Sequence, residues 1–164
     1  MMCEFGSTFV ERFGGVYENS SWVAERAAQS LTDMDNLEAV GAVMAKCVDT
    51  ASASRQLDLI RAHRNLAAEL SPGGGLSRDS ADEQASAGLD QCSPDELEQF
   101  RSLNRRYREK FGFPFVMAVR DLNRAEILEA FVRRLENDRA TERTVALREI
   151  HKIARLRLNA MATA

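Results

Sequence analysis

Nearly every segment of this chain repeats its apolar residues at intervals of three and four, the period of a helix packed on one face. The stretch KFGFPFVMAV, residues 110–119, is where that period gives way. Before it, Leu97, Phe100, Leu103, Tyr107 and Phe111 form one stripe. The stripe follows Ser93-Pro-Asp-Glu, which reads as an N-cap, a proline at the first helical position and acids in the first turn. Gly112 and Pro114 then end the helix, and Pro114 both restricts the residue before it and lacks an N–H of its own. A buried backbone that is not helical must still find partners for its polar groups. The run that follows is therefore either an edge against a neighbouring helix or a wall of amides and carbonyls facing a small polar ligand.

The same period places the other elements. Ser7 is expected to cap a short helix ending at Gly14 and Gly15, Ser20 a second carrying Trp22, Val23, Ala27 and Leu31, and Asp35 a third with Leu37, Val40, Met44 and Val48. A fourth runs from about Ser54 to His63, and the run SPGGG within residues 70–76 is the strongest breaker in the sequence. That run lacks the spacing and the lysine of a phosphate loop. Helices over residues 80–88, 94–111, about 124–136 and about 141–161 complete the chain. With no linker and no repeat, residues 1–164 read as a single all-α domain. It is a bundle of about eight helices with one short extended segment near 114–119.

Composition narrows the function classes. A chain of 164 residues with 45% hydrophobic and 29% charged residues can bury one substantial core. The net charge is −3, and the densest basic run, residues 101–110, is interrupted by Glu109 and reads as a solvated helix face, so nucleic acid is not expected as a partner. The three cysteines, Cys3, Cys47 and Cys92, have neither metal-ligand nor CxxC spacing, and an odd, sparse set suits a reducing compartment. With two histidines and no carboxylate cluster, no metal site is expected. No apolar run approaches the ~18 residues that span a bilayer. The start MMCEFG is no signal peptide and the end ATA no peroxisomal address, so the cytoplasm is the expected location.

Three polar positions fall on apolar patterns. His63 continues a face with Leu59 and Ile60, where a histidine is either a satisfied core residue or an acid–base group. Ser80, Glu83, Gln84 and Ala87 stand at i, i+3, i+4 and i+7, so a hydroxyl, a carboxylate and an amide share one face. Its plainer reading is a solvated face with a capping serine. Near the C-terminus Ile150, Ile153, Ala154 and Arg157 form a stripe, and an arginine there either snorkels to water or binds an anion.

Taken together, FGGVYENSSWVAERA (13–27), LIRAH (59–63), SADEQASAGLD (80–90), LNRRYREKFGFPFVMAV (103–119) and EIHKIARLRL (149–158) resemble one family over nearly the whole length. The family is the 2-oxo-4-hydroxy-4-carboxy-5-ureidoimidazoline (OHCU) decarboxylases of urate breakdown. The resemblance implies an all-helical, cofactor-free, generally dimeric enzyme that yields (S)-allantoin. It implies a catalytic histidine at His63 and an essential glutamate at Glu83. Substrate contacts would fall on Arg64, Ser80, Ala81, Asp82 and Gln84, on Phe115, Val116, Met117, Ala118 and Val119, and on Arg157. For a dimer, Phe9, Phe13, Tyr17 and Trp22 supply apolar surface near the N-terminus.

Two departures stand out. The family commonly reads His-Pro-Asp-Leu-Ala-Gly at the catalytic histidine, where this chain reads His63-Arg-Asn-Leu-Ala-Ala68, so Arg64 removes a rigid neighbour and adds a charge. Asn19-Ser-Ser-Trp22 stands where a histidine, a serine and a proline before the tryptophan are common, a change that reads as structural. Two other readings remain: a relative that keeps the pocket but not the activity, and a helical module in which His63, Glu83 and Arg157 are coincidental core groups. In the second, these residues would be scattered.

Overall fold

A computed structural model describes residues 2–67 and 77–163. The glycine-rich run within 70–76, Ala68 and the side chain of Cys3 lie outside the described residues. The fold is all-α: α1 Met2–Phe13, α2 Trp22–Ala28, α3 Leu37–Asp49, α4 Ala53–Arg61, α5 Arg78–Ser86, α6 Pro94–Phe111, α7 Arg124–Leu135 and α8 Arg139–Ala162. A 3₁₀ turn at Leu89–Gln91 joins α5 to α6. No helix among the described residues is long and apolar enough to cross a membrane. The chain divides into two compact units, Met1–Ala62 with Ile150–Ala164, and His63–Glu149.

In the first unit α1 packs on α2 and α2 on α3. Phe5, Phe9 and Phe13 recur every four residues, so their rings stack along one face of α1 with centroids 5.9 and 4.7 Å apart. Phe9, Phe13 and Tyr17 are buried inside this unit, and Trp22 lies under the Arg55 guanidinium at 4.7 Å. The aromatic residues expected to feed an interface therefore belong largely to the chain's own core. Gly41 lets α3 approach α8 closely, since a Cβ there would meet Leu158 Cδ1 at 3.1 Å. The Tyr17 hydroxyl meets His151 Nδ1 at 2.8 Å, and His151 Nε2 meets Asp49 Oδ1 at 2.9 Å. Burial and the nearby Asp49 carboxylate raise the Tyr17 phenol, which keeps its proton.

Several helix starts differ from expectation, each for a local reason. α1 begins well before Ser7, whose hydroxyl instead bonds back to the Glu4 carbonyl at 3.0 Å. Ser20 donates to the Glu18 carbonyl, and α2 closes at Ala28, short of Leu31. The cap of α3 is Asn36 and not Asp35, because Asn36 Oδ1 accepts from Ala39 N while Asp33 takes the Asp35 N–H. Ser52 caps α4, and Ser77, not Ser80, caps α5. α8 begins at Arg139, ahead of Thr141.

In the second unit α6 has the expected bounds. Ser93 and Glu96 form a reciprocal capping box behind Pro94, and Gly112 ends the helix at φ 77°. α6 packs on α7. Tyr107 sits in a cluster of Phe111, Phe113, Phe115 and Phe131, with Phe115 stacked on Phe131 at 3.8 Å. The basic residues of 101–110 project outward, as the solvated-face reading requires.

Candidate active site

His63 is buried but not helical. α4 ends at Arg61 with Ala62 as its C-cap, and His63 lies in the bend that follows. The expectation of a helix through His63 is therefore corrected, along with the shared face it implied. The residues after it are fixed from two directions. The Ala67 N–H donates to Gln84 Oε1 at 3.1 Å, and Asn104 Nδ2 donates to the Leu66 carbonyl at 3.0 Å. Ala67 takes a left-handed backbone at φ 60°, a conformation that costs an L-residue about 1–2 kcal/mol and persists only where surroundings hold it.

The face expected on α5 is present, and it points inward. Glu83, Gln84 and Ala87 are buried, Ser80 and Ala81 are half-buried, and Asp82 is exposed. The reading of this face as solvated is thereby overturned. Since Gln84 bonds the loop that carries His63, and Glu83 is its neighbour on α5, the bond brings the carboxylate-bearing turn to the histidine-bearing loop. The Gln84 amide nitrogen has no partner among the described residues, so a donor remains there. Arg64, next to His63, is exposed. The Oδ1 atoms of Asn65 and Asn104 are buried without a hydrogen-bond partner among the described residues. A buried acceptor left that way costs about 1–3 kcal/mol, which a ligand or water N–H or O–H would offset.

Residues 114–119 are non-helical, and Phe115, Val116 and Val119 are buried while Met117 and Ala118 are half-buried. The packed-edge alternative holds for part of this segment. One set of its main-chain groups is taken by side chains: the Val116 carbonyl accepts from Arg134 Nη1 at 2.7 Å, and the Ala118 N–H donates to Glu149 Oε2 at 3.0 Å. The Val119 carbonyl accepts from the Leu122 N–H at 3.1 Å. The N–H and C=O of Met117 have no partner among the described residues. Helix α6 relates this segment to the His63 loop. Asn104 and Tyr107 are one turn apart on its buried face; Asn104 holds Leu66, and the Tyr107 ring meets Phe115 edge-on at 5.3 Å.

Arg157 belongs to the other unit. It does not snorkel: its buried guanidinium pairs with Glu18 Oε2 at 2.8 Å and donates to the Gly15 carbonyl at 3.1 Å. The stripe of Ile150, Ile153, Ala154 and Arg157 is buried as expected.

Sequence reasoning missed Glu18 as this partner, and it missed Arg134, Glu142, Asn104 and Glu149. Arg134 is buried at 7% exposure, spans Glu142 with Nε and Nη2, and lies 4.2 Å over the Phe115 ring. Glu142 also accepts from Tyr107, whose phenol burial raises so that it stays a donor. A signal existed for both: Ile127, Phe131 and Arg134 stand at i, i+4 and i+7, and Glu142 leads the stripe through Ala146 and Ile150. Those are the patterns that singled out Arg157.

Comparison with known proteins identifies the family. The family model for OHCU decarboxylase matches residues 6–159. The 2-oxo-4-hydroxy-4-carboxy-5-ureidoimidazoline decarboxylase of Haloferax volcanii is 44% identical over 151 residues, 92% of this chain and 87% of that protein. The uric acid degradation bifunctional protein of Bacillus sp. (strain TB-90) is 42% identical over 152 residues, 93% of this chain and 29% of that protein. Among solved structures, (S)-allantoin synthase superposes with a TM-score of 0.76 at 30% identity, over 97% of this chain and 51% of that one. The fold, the ordered motifs and the near-complete match agree: the chain belongs to the OHCU decarboxylase family.

Proposed function

We propose that this chain decarboxylates 2-oxo-4-hydroxy-4-carboxy-5-ureidoimidazoline to (S)-allantoin in urate degradation, with His63 and Glu83 as its catalytic pair. Membership of the family supports the reaction. The bond from Ala67 to Gln84 is the observation that carries the pair, because it ties the His63 loop to the helix turn bearing Glu83. The substrate carries a carboxylate and a hydroxyl on one ring carbon, next to a ring C=N. When the C–CO₂ bond stands perpendicular to the ring, its electron pair passes into the C=N system as carbon dioxide leaves. A proton delivered to one face then fixes the product's configuration. The ring is its own electron sink, so the chemistry asks the protein for positioning, charge stabilisation and one directed proton transfer.

His63 suits the proton transfer because the ordinary pKa of imidazole lies near neutrality, and Glu83 suits orienting it or accepting the substrate hydroxyl's proton. The Gln84 amide nitrogen and the Met117 main-chain pair, unpartnered among the described residues, suit the carbonyl and urea-like edges of the substrate, with Ser80, Ala81 and the rest of 115–119 around them. Asp82 is exposed, which supports a main-chain and not a side-chain role there. Arg157 retains the carboxylate-binding role as a separate proposal, resting on the resemblance and on its bidentate chemistry. The test is the optical rotation of allantoin formed from freshly generated substrate. Enzymatic turnover gives the (S) enantiomer ahead of the spontaneous racemate, and racemate alone at the spontaneous rate would overturn the reading in favour of a silent relative.

Arg64 bears on that choice. Its exposure supports a side chain that keeps its head in water. Arg64→Pro is accordingly expected to leave both the Michaelis constant and the turnover number within about twofold. A large rise in the Michaelis constant at constant turnover would show that Arg64 binds the substrate carboxylate.

The proposal extends to a cytoplasmic homodimer. Its support is the resemblance alone, because Phe9, Phe13 and Tyr17 are core residues. Light scattering at micromolar concentration is expected to report twice the chain mass of 18.3 kDa, and a monomer would count against it.

A further inference from the structure

We propose that Arg134 and Glu149 are positioning residues for this reaction, gripping the two peptide groups that flank Met117 so that its N–H and C=O are presented together to the substrate. The inference rests on the proposed function. It starts from peptide geometry. A trans peptide is planar, with its C=O and N–H pointing in opposite directions, and no peptide bond among the described residues is cis. The Val116 carbonyl and the Met117 N–H belong to one such plane, and the Met117 carbonyl and the Ala118 N–H to the next.

Arg134 holds the Val116 oxygen at 2.7 Å, which fixes the Met117 N–H in the opposite direction. Glu149 holds the Ala118 N–H at 3.0 Å, which does the same for the Met117 carbonyl. Both grips are charge-assisted, the stronger class of hydrogen bond. The first is itself braced, because Glu142, fully buried, binds the Arg134 guanidinium at 3.0 Å, and the Phe115 ring lies beneath it. The outcome is one donor and one acceptor on a single half-buried residue, both unpartnered among the described residues and both held from behind. An adjacent N–H and C=O on the ligand would complement that pair, as a ureido arm or a ring amide offers.

Glu149→Ala removes the second grip at a half-buried position. It is expected to raise the Michaelis constant about ten- to a hundredfold while turnover per folded molecule stays within about threefold. Glu149→Gln keeps an acceptor for Ala118 and should restore the parent Michaelis constant. Arg134→Lys, which keeps the charge beside Glu142 but loses the fork, is expected to raise it as well. In the parent protein, saturating (S)-allantoin should slow hydrogen exchange of the Met117 amide. A role in stability alone would lower the folded fraction and the apparent turnover at constant Michaelis constant. A parent-like Michaelis constant in Glu149→Ala, or in Arg134→Lys should the alanine variant not fold, overturns the inference and leaves the proposed function standing. A parent that makes only racemate overturns both.

Discussion

Alanine at His63 or at Glu83 is expected to abolish enantioselective formation of allantoin while leaving a cooperative thermal transition. General acid–base groups typically contribute ~10²–10⁴-fold, so either variant should fall to a rate close to the spontaneous one. Both side chains are buried, at 8% and 9% exposure. The fold is expected to survive their truncation, and circular dichroism should show it. The readout is product configuration, which spontaneous decay cannot imitate. An alanine variant that made (S)-allantoin at the parent rate would remove that residue from the mechanism.

The largest stability effect is expected at Glu142, which has no solvent exposure. Glu142→Ala strips the carboxylate from a guanidinium that is itself buried, and it takes the acceptor from the Tyr107 hydroxyl and the Asn137 amide. Breaking a buried pair by removing one partner costs about 3–5 kcal/mol, because the other charge is left uncompensated. For a chain of this size that corresponds to a thermal midpoint lower by roughly 6–20 °C. Differential scanning calorimetry of parent and variant measures it, and a shift of less than about 2 °C would show that Arg134 finds another counter-charge.

What could be read from the sequence follows from where the determining interactions lie along the chain. Helix α6 announces both its ends, with Ser93 and Pro94 at one and Gly112 at the other, because caps are local. The buried face of α5 was legible as a pattern, although its burial was not, since nothing within nine residues says what covers it. His63 was misplaced onto a helix for an instructive reason. A proline after it would have marked the histidine as non-helical, and in this chain Arg64 erases that mark. The anchors of residues 115–119 were illegible because they come from far along the chain, Arg134 to Val116 across 18 positions and Glu149 to Ala118 across 31. Periodicity shows that Arg134 sits on an apolar stripe; only the fold shows which carbonyl it meets.

The main-chain pair at Met117, unbonded among the described residues, has a consequence for how such a surface can drift over generations. Every amino acid except proline supplies the same N–H and C=O, so the identity of the residue at this position is nearly invisible to whatever it contacts there. What fixes that pair is written elsewhere, in an arginine on α7 and a glutamate on α8. On the proposed role, neutral change can accumulate at Met117 while selection acts on Arg134 and Glu149.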